Sequence, residues 1–295
     1  MSTKRKVWLG IGIYIAVTIA IIAAFGWKGQ KHPEFAPQNE FKLHTWVNLG
    51  LLSINKAVMY LVIAGVLTCA TMIYVARRMK QRPNRVQTAV EFIFQGLQNN
   101  VVGANMDTQM AARWFPFIAT LALFIFYSNL VGYIPLPTST ETFNVFGAHI
   151  PAFSLYAATA NLSIPLVLAI VVFVSYTTEG VRKKGPIGYL KGLIPAGVHG
   201  FMAGFIFILE VLSNVMRLIS LSVRLFANIL AGHLIILFMA GALAVILGVG
   251  ALGWITLPLG VALFAFEVGL VAALQAFIFA TLTAIYLGGA VADHH

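Results

Sequence analysis

Five polar or ionisable side chains interrupt a hydrophobic run that extends from about residue 201 to 247. They are Glu210, Arg217, Arg224, Asn228 and His233, within the sequence EVLSNVMRLISLSVRLFANILAGH. An ionisable group at the centre of a bilayer costs about 3 kcal/mol even on permissive insertion scales, so such groups are kept where they face protein or water. Their chemistry favours the transfer of an ion through the membrane.

The spacing of these residues places them on one face of a helix. Glu210, Arg217 and Arg224 are seven residues apart, so each is offset by about 20° from the one before it. Ser213, Ser220 and Asn228 lie three or four positions from members of this row, so they share its face. The other sides carry Leu, Ile, Val, Phe and Met, which predicts one polar stripe on an apolar helix.

A lone arginine in a membrane helix is often an anchor whose side chain extends to the interface. Arg224 has at least twenty mostly apolar residues on either side, so a straight helix gives it no short reach to water. A second arginine, a carboxylate, hydroxyls and an amide share its face. The pattern therefore favours a polar path for an ion over an anchor alone.

The composition places the chain in a bilayer. Hydrophobic residues make up 60% of it and charged residues 9%, as is typical of integral membrane proteins. The net charge of +10 reports membrane topology and does not indicate nucleic acid. The single cysteine, Cys69, excludes an intrachain disulfide, and the sequence has no Gly-rich phosphate loop, HExxH or CxxC motif. We expect no cofactor and no metal site.

Apolar stretches and helix breakers predict an all-α integral membrane protein with about six membrane segments. The first four segments are 7–27, 54–76, 114–134 and 155–178. The first follows the basic start MSTKRK and has features of a signal peptide, but its length and poor cleavage site favour an uncleaved additional helix. An extracytoplasmic loop at 28–52 follows it.

The segment 86–102, VQTAVEFIFQGLQNNVV, is too polar to span a membrane. Its apolar residues recur at helical spacing, which predicts an amphipathic helix in the membrane interface. A cytoplasmic helix packed on a partner is the alternative.

Lysine and arginine counts orient the segments. The N-terminus and the loops at 77–113 and 182–191 hold thirteen of the nineteen basic residues, and the loops at 135–154 and 248–253 hold none. The positive-inside rule assigns the basic loops to the cytoplasm, with both termini inside.

The last two segments are longer than a bilayer requires. Residues 198–247 would extend about 75 Å as one helix, against a hydrocarbon core of about 30 Å. Gly248–Gly253 and Pro258 mark a turn, after which Leu259–Leu287 returns. Either the first of these segments breaks into two helices, or both are steeply tilted and expose a lateral face suited to docking another membrane assembly.

Several motifs resemble subunit a of the F-type ATP synthase, the membrane stator beside the rotating c-ring. The most specific are SLSVRLFANILAGHLI at Ser220–Ile235 and ALQAFIFATLTAIYL at Ala273–Leu287. The motifs RVQTAVEFI, SNLVGYIPLP and ATANLSIPL resemble the same family in the same order. The resemblance implies a subunit a-like membrane domain at 53–290, with the last two helices forming a hairpin that faces a c-ring.

The resemblance also implies a mechanism and partners. Arg224 matches the family's essential arginine, which holds the carboxylate of a passing c subunit deprotonated and keeps two aqueous half-channels apart. The implied partners are the c-ring, the subunit b peripheral stalk, the rest of the ATP synthase, membrane lipids and protons. The implied setting is a bacterial plasma membrane, and the subunit is not catalytic by itself.

Other residues match positions of the family one by one. Gln275 matches the glutamine of LQAF, facing the arginine, and Asn228 matches the asparagine four residues after it. Glu210, Ser213 and Ser220 would line the cytoplasmic exit, although the serines also suit helix packing. Asn161 would belong to the outer entrance.

His233 and Glu267 resemble the family's buried histidine and glutamate pair, a relay that titrates near neutral pH. His233 lies nine residues after Arg224, on the opposite side of an ideal helix and about 14 Å farther along it. Glu267 lies eight residues before Gln275, whereas the family pattern has seven. A π-bulge at Gly269 would restore the register; without it, Glu267 would be a structural partner of His233.

Two other functions are compatible with buried charges. A secondary transporter would place them at the midplane but usually shows internal repeats, which this sequence lacks. A non-conducting scaffold would not need Arg224, Gln275 and a His/Glu pair together.

Overall fold

The computed structural model describes residues 3–25, 45–48, 53–78, 85–136, 142–145, 148–151, 156–194, 198, 200–239 and 250–292. Its helices are α1 (Thr3–Phe25), α2 (Lys56–Arg78), α3 (Arg85–Gly96), α4 (Gly103–Asn105), α5 (Thr108–Val131), α6 (Ser163–Lys184), α7 (Pro186–Lys191), α8 (Phe201–Leu237), α9 (Gly250–Phe266) and α10 (Ala272–Val291). The π-helical stretches Leu97–Val102 and Glu267–Val271 join α3 to α4 and α9 to α10, and a 3-10 turn at Ala158–Ala160 precedes α6.

The prediction of an all-α membrane protein is confirmed. In the described part of the chain, five helical stretches are long and apolar enough to cross a membrane: Lys56–Arg77, Thr108–Val131, Ser163–Lys184, Phe201–Leu237 and Thr256–Val291. The first predicted segment forms α1, which contains the shorter apolar stretch Trp8–Val17. The predicted amphipathic segment is helical as α3 with its π-helical continuation.

Two short antiparallel hairpins lie in predicted loops. One pairs β1 (Thr45–Asn48) with β2 (Ser53–Asn55), and the other pairs β3 (Thr142–Val145) with β4 (Ala148–Pro151). Strands of three or four residues are too short to produce a clear alternation of polar and apolar residues. No pattern in these segments therefore predicted the strands.

Several helix bounds differ from the prediction. α5 begins at Thr108, six residues before the predicted start, because Asp107 has an extended backbone that suits the position before a helix. α6 begins at Ser163 and continues to Lys184, where three basic residues lie in its last turn and Gly185 takes a φ of 75°. Basic residues favour the negative end of the helix dipole, and glycine tolerates the positive φ.

The prediction that Pro258 marks a turn was wrong. Gly253 and Pro258 lie inside α9, whereas residues 248 and 249 lie outside the described residues. A proline is tolerated in an apolar membrane helix when neighbouring groups satisfy the freed backbone carbonyl.

α8 is unbroken over the 37 residues from Phe201 to Leu237, which corresponds to a length of about 55 Å. The rest of the predicted segment, up to residue 247, extends into residues that are not described. The sequence left open whether this segment breaks into two helices or forms one tilted helix. No break occurs between Phe201 and Leu237.

The chain forms two compact units, one built from Met1–Lys42 and Leu230–Leu270 and the other from Leu43–Ile229 and Val271–His295. In the first unit, α1 packs against α9. In the second, α10 packs against α5 and α6, and α5 packs against α2. The face of α10 that enters this bundle carries small residues four apart, Ala272, Ala276, Ala280 and Ala284, all buried. Small residues let membrane helices approach closely.

Candidate functional site

Glu210 and Arg217 share one face of α8, as the seven-residue spacing predicts for this pair. An Arg217 guanidinium nitrogen lies 3.5 Å from a carboxylate oxygen of Glu210, so the two side chains extend along the same face. Both are partly exposed. Farther along this face, Ser213 is half-buried and Ser220 is exposed.

Arg224 lies at the edge between the buried and the exposed faces of α8. Leu221, Leu225 and Ile229 form the buried face, whereas Val223 is exposed. The Arg224 side chain is half-buried and forms no hydrogen bond or ion pair with any residue that the structure describes. Asn228, one turn later, is exposed and likewise has no side-chain partner among the described residues. In the described part of the chain, a permanent cation thus lies next to exposed residues of α8.

Gln275 is buried on α10, with 4% of its surface exposed. The Arg217 guanidinium of α8 lies 5.7 Å from the centre of the Tyr286 ring of α10. The placement of Gln275 opposite Arg224 stays a prediction.

A cavity of about 330 Å³ opens between α6, α7, α8 and α10. Its polar lining residues are Tyr176, Lys184, Tyr189, Glu210, Asn214, Arg217 and Tyr286. The Tyr176 hydroxyl lies 3.4 Å from the Asn214 side-chain oxygen, and the Asn214 amide donates to the Glu210 carbonyl oxygen at 3.1 Å. Polar groups and a volume of several water molecules make the cavity suited to hydration.

Of these seven polar lining residues the sequence analysis singled out Glu210 and Arg217 and missed the other five. Asn214 lies four residues after Glu210 on the same helix, so helical spacing alone could have identified it. Tyr176 and Tyr286 come from α6 and α10, and their rings pack 5.9 Å apart. No spacing rule within one helix relates them to Glu210, because only the tertiary fold brings them to it.

The predicted relay residues lie together in the other unit. His233 is buried, with 4% of its surface exposed. Its neighbour Gly232 faces Glu267, because a Cβ atom built on Gly232 would lie 2.5 Å from the Glu267 carboxylate. The predicted π-bulge is present, since Glu267–Val271 is π-helical and includes Gly269. A π-helical turn takes up an additional residue, which is the element that the eight-residue spacing required.

Asn161 belongs to a separate polar cluster before α6. Its side-chain oxygen accepts a hydrogen bond from the Ser163 backbone N–H at 3.1 Å, and its side chain also hydrogen-bonds Tyr156. The Lys56 ammonium lies 4.8 Å from the centre of the Tyr156 ring, and both residues are buried. Burial raises the pKa of Tyr156 to about 12, and the Asn161 hydrogen bond opposes this shift.

Comparison with known sequences gives a consistent family. The sequence model of the family described as ATP synthase A chain matches residues 58–288. An ATP synthase subunit a from Maricaulis maris is 33% identical over 88% of this chain and 98% of its own length. Proteins of the same description from Bradyrhizobium diazoefficiens and Parvibaculum lavamentivorans are 32% and 35% identical, over 88% and 84% of this chain and 98% and 90% of their own lengths.

The matched region contains the arginine stripe of α8, the buried glutamine of α10 and the His233 and Glu267 positions. The chain therefore belongs to the ATP synthase A chain family, as a non-catalytic membrane subunit of the F-type complex that takes part in proton transport and ATP synthesis.

Proposed function

We propose that this chain is the proton-translocating stator of an F-type ATP synthase, with Arg224 between two aqueous half-channels that open to opposite sides of the membrane. The moving partner is the c-ring, and the subunit b peripheral stalk holds the chain in place. The setting is a bacterial inner membrane with both termini in the cytoplasm, as the basic loops favour.

The observation that carries this proposal is the unpartnered Arg224 at the exposed edge of α8. A guanidinium stays charged even where it is poorly solvated. It attracts the carboxylate of a rotor subunit that passes the open flank, and it favours the deprotonated form of that carboxylate. Its fixed charge also repels protons, which prevents direct passage between the half-channels. Gln275 of α10 and Asn228, one turn later on α8, provide polar contacts beside it.

The two half-channels follow from the polar groups on either side of Arg224. Lys184 and Tyr189, from the basic region 182–191, line the cavity that contains Glu210, so the cavity serves as the cytoplasmic exit, with Ser213 beside its lining residues and Ser220 between Arg217 and Arg224. His233 and Glu267 form the relay of the outer half-channel, and Asn161 belongs to its entrance. Each proton that crosses a potential of 100 mV releases about 2.3 kcal/mol, so several are needed for one ATP.

Replacing Arg224 with Ala in the complete ATP synthase tests this function. We expect assembly with the rotor to persist and ATP-driven proton pumping in inverted membrane vesicles to be lost, because no cation then meets the rotor carboxylate. Arg182→Ala is the control, since Arg182 is a basic residue in the last turn of α6 and outside the stripe. Continued pumping by Arg224→Ala would indicate a scaffold, and substrate flux without the ring would indicate a transporter.

A further inference from the structure

Arg217 and Arg224 lie on one face of α8, so both can attract the same rotor carboxylate as it passes the helix. Arg217 and Arg224 are seven residues apart, about 10 Å along the helix axis and about 20° around it. The side chain of Arg217 is 42% exposed, so burial alone does not remove it from contact with the surroundings of the helix. A rotor carboxylate that paired with both arginines in turn would be delayed between them.

Arg217 has neighbours that can balance its charge, whereas Arg224 does not have such neighbours among the described residues. Arg217 lies 3.5 Å from the Glu210 carboxylate, and its guanidinium lies 5.7 Å from the centre of the Tyr286 ring. The electron-rich face of an aromatic ring attracts a cation, so Tyr286 holds Arg217 towards α10. Arg224 has neither kind of contact within the described part of the chain.

Other contacts around the cavity fix this arrangement. Asn214, four residues after Glu210 and three before Arg217, donates to the Glu210 carbonyl oxygen and contacts the Tyr176 hydroxyl. The second basic residue of the lining, Lys184, donates to the Ala292 carbonyl oxygen at the end of α10. Among the described lining residues, Glu210 is the only carboxylate, and its partner is Arg217.

We infer that Glu210 and Tyr286 are positioning residues that neutralise and hold Arg217, so that, of the two arginines in the described residues of α8, Arg224 alone is offered to the rotor carboxylate. This inference rests on the proposed function. It gives Glu210 a role different from carrying protons, because its negative charge is needed to cancel Arg217. Glu210 should then be dispensable in a chain from which Arg217 has been removed.

The test uses three variants of the complete ATP synthase in inverted vesicles: Glu210→Gln, Arg217→Gln and the double variant. We expect Glu210→Gln to lower ATP-driven pumping by about tenfold, since a trapped carboxylate raises the barrier to rotation. Arg217→Gln should pump nearly as well as the parent. The double variant should recover most of the rate that Glu210→Gln loses.

Substitutions of Tyr286 test separately whether its ring holds Arg217. Tyr286→Phe keeps the ring and should leave pumping unchanged, whereas Tyr286→Leu should lower it, and adding Arg217→Gln to Tyr286→Leu should restore it. The pH profile of passive proton conduction should be the same in the double variant and the parent, because Glu210 carries no proton.

Two results would overturn the inference. A double variant as slow as Glu210→Gln would show that the Glu210 carboxylate acts in the exit path itself. Loss of pumping in Arg217→Gln alone would show that Arg217 has its own role in transfer. Neither result bears on Arg224, so a failure of the proposed function is recognised separately by pumping in Arg224→Ala.

Discussion

At the scale of single residues, the cations of the described membrane helices differ in how their charge is balanced. Arg113 of α5 donates to Glu179 of α6 at 3.0 Å, and Arg217 pairs with Glu210. Lys56 lies over the Tyr156 ring. Lys56 and Glu179 are buried, and buried charges are costly unless they are paired, so the contacts of these two residues lower that cost. Arg224 lacks such a contact in the described residues, and its proposed role depends on this difference.

Gly232 leaves the space that the Glu267 carboxylate occupies. A Cβ atom there would lie 2.5 Å from three atoms of that carboxylate, closer than non-bonded atoms approach. Gly232→Ala should therefore displace Glu267 and lower ATP-driven proton pumping by about tenfold or more, as misplacement of a reacting group does. Gly65→Ala is the control, because a Cβ on Gly65 meets no described atom within 4 Å. Equal pumping by both variants would contradict a role for Glu267.

The Tyr156 hydroxyl should lose its proton at a higher pH than the hydroxyl of an ordinary tyrosine. Burial raises its pKa from 10.0 to about 12, because the phenolate would be poorly solvated. The protonated form is therefore favoured in the folded state, so this group's contribution to stability is complete below pH 10 and is lost as the pH rises towards 12. The difference in ultraviolet absorbance between the parent and Tyr156→Phe during alkaline titration measures this. A phenolate signal of Tyr156 near pH 10 would show that burial does not protect it.

At the scale of helices, the contacts of α10 depend on small residues. Its alanine stripe packs into the bundle, and Gly288 lies against the carbonyl oxygen of Asn105 at the end of α4. α8 differs, since large apolar residues such as Ile208, Val215 and Met216 remain exposed along it. One helix is thus fixed within the subunit, and the other keeps an apolar side open beside its polar stripe.

Adjacent glycines of α10 give a matched test of this packing. A Cβ at Gly288 would overlap the Asn105 carbonyl oxygen, whereas a Cβ at Gly289 would meet no described atom within 4 Å. Gly288→Ala should destabilise the bundle by about 1–3 kcal/mol through overpacking, and Gly289→Ala should not. The apparent midpoint of thermal unfolding in detergent, compared between the two variants, measures the difference. Equal midpoints for the two variants would mean that α10 shifts to accommodate the added methyl group with no loss of stability.

At the scale of the whole molecule, basic residues should fix the orientation in the membrane. The loops at 77–113 and 182–191 are basic and alternate along the chain with loops that hold few or no basic residues. This pattern predicts that both termini lie in the cytoplasm. With that orientation, Lys184 and Tyr189 of the Glu210 cavity belong to the cytoplasmic side, as the proposed exit requires.

A C-terminal peptide tag tests this orientation. Protease should remove the tag from inverted membrane vesicles but not from right-side-out spheroplasts, because the tag then lies in the cytoplasm. A tag added to the N-terminus should behave in the same way. Cleavage of either tag in spheroplasts would reverse the assignment of the two half-channels.

Much of the candidate site was predictable because its members lie on single helices. The seven-residue spacing of Glu210, Arg217 and Arg224 predicted their common face, and the Glu210–Arg217 contact confirms it for that pair. The extra residue between Glu267 and Gln275 predicted the π-helical turn at Gly269. Helical periodicity is a local property, so residue numbers alone are enough to state it.

The sequence by itself determined the class of the protein, the polar stripe and the family motifs, since these depend on composition and on spacing within one segment. Tertiary structure decided which aromatic rings meet Arg217, which glycine makes room for Glu267 and which cations are neutralised. Those contacts join residues that are distant along the chain, such as Tyr176, Arg217 and Tyr286. They depend on how helices pack against each other, and no local pattern in the sequence specifies that packing.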